Sequence, residues 1–177
     1  IVTDFNDNKY LADIPSTDHV CVASGSRLSL AQLIYIRKKD RELFKKIDLK
    51  MPVEIAKNAF LKGAKEISII SAVGADENSA NYYLKIKGVL EKEIKNIGFE
   101  KITFVRPGHL LGKRDSKVAW EVKIYEFIFM MMKPIMIGIF KKFRNVQAKD
   151  VALAIISSIE KSFDGSKILE YDDIVKK

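Results

Sequence analysis

The chain has almost nothing that would staple, export or embed it. Of its 177 residues one is cysteine, Cys21, so no disulfide can close within it and a reducing compartment is expected. No secretory signal stands at its start. No apolar run approaches the ~20 residues of a membrane-spanning helix. The densest, Phe127 to Phe140, is shorter than that and contains Lys133 and Pro134. Repeats, low-complexity tracts and basic stripes with interleaved aromatics are absent, which argues against nucleic acid as a partner. Acid is in deficit: 23 Asp and Glu stand against 31 Lys and Arg, a net charge of +8. The lysines are spread along the whole length, so the excess reads as a lysine-rich solvated surface. No set of metal ligands is assigned.

What is present suits one folded domain. The apolar fraction is 47% and the charged fraction 31%, ordinary for a chain with a sizeable core. "HVCVASG", from His19 to Gly25, reads as a buried strand ending at small residues. Pro52 suits the first turn of a helix, with Val53, Ile55, Ala56, Ala59 and Phe60 on its apolar face and Gly63 closing it. A second strand covers Ile67 to Ser71. A helix over 80–97 turns Leu84, Val89, Leu90, Ile94 and Ile97 inward and stops at Gly98. "KITFVRPG" is a third strand, broken by Pro107 and Gly108. "VQAKDVALAIISSIEKSF" is a further amphipathic helix and "SKILEY" a last strand. Alternating strands and helices predict an α/β fold with a parallel sheet and right-handed crossovers. Ligands in such sheets sit beyond the carboxyl ends of the strands. Here those ends are Ala23-Ser24-Gly25, Ser71 to Gly74, and Arg106-Pro107-Gly108. The segment 115–145 is expected to be an apolar helical lid, substrate or dimer region. The opening "IVTDF" lacks a Met and reads as the end of a strand, so residues are expected upstream.

Tyr83 and Lys87 are one helical turn apart and share a face. An ammonium beside a phenol favours the phenolate and lowers its pKa, which would let the pair pass a proton to or from a substrate oxygen. Tyr82 is the rival, but Ile86 stands where its lysine would be. Ser71, at the end of the preceding strand, adds a hydroxyl for a carbonyl.

At "SAVGAD", "NYYLKIKGVLEKEI", "GFEKITFVRPGHLLGKR" and "DVALAI" the chain resembles the short-chain dehydrogenase/reductase superfamily, and within it the NmrA-like branch with the Tat-interacting oxidoreductases. The resemblance implies a Rossmann-like doubly wound parallel sheet with helices on both faces, forming one NAD(P)-binding domain over 1–177 whose first strands precede this chain. It implies Tyr83 as acid/base, Lys87 on the cofactor ribose, and Ser71 on the substrate carbonyl. Ser24 and Gly25 would lie along NADP or NAD, with Pro107 and Gly108 beside the nicotinamide. Two departures stand out. Ala72 occupies a position where the superfamily often has a second serine. The Gly-rich phosphate turn that opens such folds does not occur, and Ile1 to Phe5 aligns with the third strand. The expected function is an NAD(P)-dependent oxidoreductase acting on a small carbonyl or hydroxyl compound in the cytoplasm. The alternative is a non-catalytic NAD(P)-sensing or protein-binding module on the same fold. A homodimer or a protein partner is left open, as is the choice between NAD and NADP.

Overall fold

The computed structural model of the chain describes residues 11, 13–26, 28–108, 110–111, 141–142 and 144–175. In order these give β1 (His19–Val22), α1 (Leu30–Ile34), α2 (Arg41–Lys45), one π-helical turn (Lys46–Lys50), α3 (Met51–Leu61), β2 (Glu66–Ile70) and α4 (Tyr82–Lys95). There follow β3 (Lys101–Val105), β4 (Leu110–Leu111), β5 (Val146–Gln147), α5 (Ala148–Ile159), β6 (Gly165–Leu169) and α6 (Tyr171–Ile174). The expected strand at Ile1 to Phe5 and the apolar segment from Phe127 to Phe140 lie outside the described residues.

The main sheet has the order β1-β2-β3-β6, and every pairing in it is parallel. The fold is thus the expected Rossmann-like α/β arrangement. Side chains alternate across it with the period of two that a strand imposes. Val22, Ile67, Ile69, Ile102 and Phe104 face a core shared with Ala56 and Ala59 of α3 and Ile86, Leu90 and Ile94 of α4. Val105 and Leu169 face the other side, against Val151 and Ile155 of α5 and Ile174 of α6. Helices therefore lie on both faces. The short parallel pair β4–β5 ties the chain beyond β3 to the start of α5. Among the described residues no helix is long and apolar enough to cross a membrane.

Pro52 lies in the first turn of α3, as the sequence suggests, but that turn does not begin a separate helix. The segment from Arg41 to Leu61 is continuously helical, and the widened turn Lys46–Lys50 immediately precedes the proline. A proline inside a helix has no N–H to give and its ring crowds the carbonyl four residues back, here that of Asp48. Widening the turn to π geometry relieves that crowding. It also leaves two successive residues, Asp48 and Leu49, buried.

Two glycines shape the β2–α4 connection. Gly74 has φ +80°, a left-handed conformation that other residues adopt at a cost. Gly88 lets the connection lie directly on α4, since a Cβ there would fall 2.2 Å from the Asp76 carbonyl carbon and 2.2 Å from the Glu77 nitrogen.

Candidate active site

The carboxyl ends of β1, β2 and β3 lie side by side, so the three small-residue loops expected to carry the site are brought together. Ser71 N–H donates to the Val105 carbonyl at 2.8 Å, and Val73 N–H to the Pro107 carbonyl at 3.4 Å. The β2 loop is thereby tied to the Arg106-Pro107-Gly108 loop. The α4 helix begins at an Asn81 cap, whose side chain accepts the Leu84 N–H. From there it runs beneath the loops, with Tyr83, Lys87 and Glu91 spaced four residues apart along one stripe.

Lys87 is buried, and its Nζ lies 2.9 Å from Asp48 Oδ1; the two side chains are 5% and 3% exposed. The other Asp48 oxygen accepts the Ser26 N–H at 2.8 Å. Gly25 fits against this pair: a Cβ on it would lie 3.3 Å from Asp48 Oδ1 and 4.0 Å from Lys87 Nζ. Ser24 Oγ is buried with no hydrogen-bond partner among the described residues. Asp48 thus ties Lys87 to the β1 turn at Gly25 and Ser26, next to Ser24.

Tyr83 differs from expectation. Its phenol is pushed up to about 12, first by burial and then by the negative charge of Asp48. The anticipated lowering by Lys87 fails because that ammonium is paired with Asp48. The two adjacent tyrosines are nevertheless distinct. Both rings pack on Phe44, with centroids 6.2 Å and 6.0 Å away, but the Arg41 guanidinium stacks on Tyr82 at 4.6 Å from its centroid, whereas Tyr83 feels Asp48.

Ser71 also departs from its expected part. Its hydroxyl donates to Glu91 Oε1 at 2.6 Å. A hydroxyl has one proton to give, so in this geometry Ser71 can accept from a substrate but has no proton left for a carbonyl oxygen. Arg106 closes the group with a bidentate contact, Nε to Glu91 Oε1 at 2.8 Å and Nη2 to Oε2 at 2.7 Å. Glu91, Arg106 and Ser71 thus join α4 to the carboxyl ends of β3 and β2 in one largely buried polar network.

Glu91 was detectable in principle, as a charge four residues beyond Lys87 on the stripe that also carries Leu90 and Ile94. Asp48 had no local signal apart from a proline four residues downstream.

The architecture and the row of strand-end loops place this chain in the Rossmann-like class. No protein-family model matches it. It is 49% identical over 71 residues to the mitochondrial protein FMP52 of Kluyveromyces lactis, a match over 40% of this chain and 32% of that protein. It is 33% identical over 141 residues to the mitochondrial FMP52 of Candida albicans, over 76% of this chain and 60% of the relative. The matches to these curated relatives thus span about a third to three fifths of their length. The expected cytoplasmic location is overturned here, because these relatives are named as mitochondrial proteins.

Among solved structures, the chain is similar to a UDP-N-acetylglucosamine 4-epimerase from Methanobrevibacter ruminantium in complex with UDP-N-acetylmuramic acid. The TM-score is 0.63 at 14% identity, over 96% of this chain and 60% of that one. It is also similar to a short-chain dehydrogenase/reductase superfamily protein from Agrobacterium tumefaciens with bound NAD. There the TM-score is 0.62 at 13% identity, over 94% and 64% of the two chains. At such identities the likeness is one of fold.

Proposed function

We propose that this chain belongs to an NAD(P)-dependent reductase of the short-chain dehydrogenase type, on the NmrA-like side of that superfamily. Its substrate would be a small carbonyl compound. The observation that carries the reading is the juxtaposition of Tyr83 and Lys87 on α4 with the β1 turn at Ser24 and Gly25. The site has the features a dinucleotide's ribose requires. Lys87 has two N–H donors beyond the one Asp48 engages, Ser24 Oγ is buried without a partner among the described residues, and Gly25 presents bare backbone. Ser24, Gly25 and Lys87 would hold the cofactor, with Pro107 and Gly108 beside its nicotinamide. When bound, NAD(P)H supplies the hydride.

The proton is this chain's own contribution. A phenol with a pKa of about 12 is protonated at pH 7 in all but roughly one molecule in 10⁵. It is a poor base at that pH, yet still more acidic than an alcohol. Tyr83 is thus suited to give its proton to an alkoxide formed from a carbonyl, and the reading favours reduction over oxidation. A non-catalytic NAD(P)-sensing module is the second reading. It is favoured by Ser71, whose proton is engaged by Glu91, and by Ala72, which has no hydroxyl.

The test is NADPH oxidation by the full-length protein against a panel of aldehydes and ketones, with Tyr83→Phe alongside. Loss of ~10²–10⁴-fold in turnover with NADPH affinity kept is expected for a proton donor. An unchanged rate removes Tyr83 from the mechanism. Binding of NADPH with no turnover of any carbonyl selects the sensing module.

A further inference from the structure

One buried acid faces the site without a part in the reduction. Asp48 is 2% exposed and sits in the π turn that Pro52 imposes. Its two oxygens reach two separate elements, one taking the Lys87 ammonium at 2.9 Å and the other the Ser26 N–H at 2.8 Å. Those elements, α4 and the turn after β1, are the two that would flank a dinucleotide's ribose.

We propose that Asp48 is a positioning residue of the nucleotide site, holding the Lys87 ammonium and the β1 turn in one fixed relation. The inference rests on the NAD(P)-binding reading. Stability alone does not account for the pair. A buried ion pair is weak evidence of net stabilisation, and well-packed apolar residues in its place are often as good or better. What the pair does provide is placement. A lysine has a flexible four-carbon stem and a point charge with no preferred direction. Asp48 engages one of its three N–H groups and fixes the stem, leaving two donors in a defined position. The same carboxylate pins the turn whose Gly25 backbone lies against it, too close for any side chain there to clear the carboxylate comfortably. Ser24 Oγ, buried and without a partner among the described residues, belongs to that pinned turn.

The experiment titrates NADPH fluorescence on the full-length protein, with thermal melts recorded for each variant. The variants are Asp48→Asn, Lys87→Met, their double mutant and Asp48→Glu. Asp48→Asn is expected to weaken NADPH tenfold or more. Because Asp48 acts partly through Lys87 and partly through the turn, its replacement in the Lys87→Met background should cost clearly less than in the wild type without vanishing, a coupling the cycle isolates. Asp48→Glu keeps the charge but moves the carboxylate by one methylene, so it should fold and still bind NADPH at least threefold more weakly. That variant decides the matter if Asp48→Asn does not fold. Wild-type affinity in folded Asp48→Asn or Asp48→Glu, or equal losses with and without Lys87, would overturn the proposal while leaving the NAD(P) reading standing. A wild-type protein that binds neither NADPH nor NADH overturns both.

Discussion

Replacing Gly88 with alanine sets two effects of opposite sign against each other. Gly88 lies within α4, where alanine is intrinsically the better helix former by ~1 kcal/mol. A methyl group there would lie 2.2 Å from the Asp76 carbonyl carbon, 2.2 Å from the Glu77 nitrogen and 2.7 Å from the Asp76 Cα. Carbon contacts are comfortable at about 3.5–4.0 Å, so helix and loop must part by more than ~1 Å. The loop has little freedom to do so. Its Asp76 N–H donates to the Leu84 carbonyl of α4 at 3.2 Å, and Ser71, at its start, is held by Glu91. Overpacking typically costs ~1–3 kcal/mol, and a lost backbone hydrogen bond adds ~1 kcal/mol. Set against the propensity gain, Gly88→Ala should destabilise the protein by about 1–3 kcal/mol. Urea unfolding of the full-length protein followed by circular dichroism measures this, with Lys85→Ala, at an exposed position of the same helix, as the near-neutral control. A Gly88→Ala protein as stable as its parent, or more so, would refute the close approach of loop and helix.

Three more outcomes follow from the site. Tyr83 titrates at about 12 when folded and near 10 when unfolded. Its contribution is therefore fully present below pH 10 and is lost as pH climbs toward 12, by about 2–3 kcal/mol. Alkaline unfolding of wild type and Tyr83→Phe should diverge in that window, and parallel curves would place the phenol in water. Lys87→Met strands Asp48 as an unpaired buried carboxylate and should cost about 3–5 kcal/mol; a thermal melt within 2–4 °C of wild type, about 1 kcal/mol for a domain of this size, would contradict the ion pair. Glu91→Gln keeps one acceptor but removes the charge that Arg106 grips, so a loss of about 1.5–3 kcal/mol is expected. If Glu91→Gln unfolds at the same urea concentration as wild type, the bidentate contact is not formed in solution.

The sequence by itself marked the four strands of the main sheet and the helices α3, α4 and α5 that lie between them. Runs such as "EISII" and "KITFV" are apolar and β-branched with small residues after them, and such local patterns are sufficient to mark strands and their ends. They also marked where a site is expected, since the loops after Val22, Ile70 and Val105 follow strands that pair in parallel. Helix α4 was legible as an amphipathic stripe, and Tyr83 and Lys87 by their spacing on it. Only the tertiary structure decided what those groups experience. The Lys87 ammonium would lower the Tyr83 pKa if it stood alone. Asp48, distant in sequence and turned inward where Pro52 widens a helix, takes that charge instead, and burial then raises the phenol. Ser71 reads as a free hydroxyl at a strand end until the fold brings Glu91 and Arg106 against it. Charges on a buried stripe look like solvated surface in a hydropathy pattern, because the partners that make their burial tolerable come from other elements. Periodicity reports which face of an element is buried. Which charges meet there, and hence which protons are free to move, is fixed by packing between segments that the sequence keeps apart.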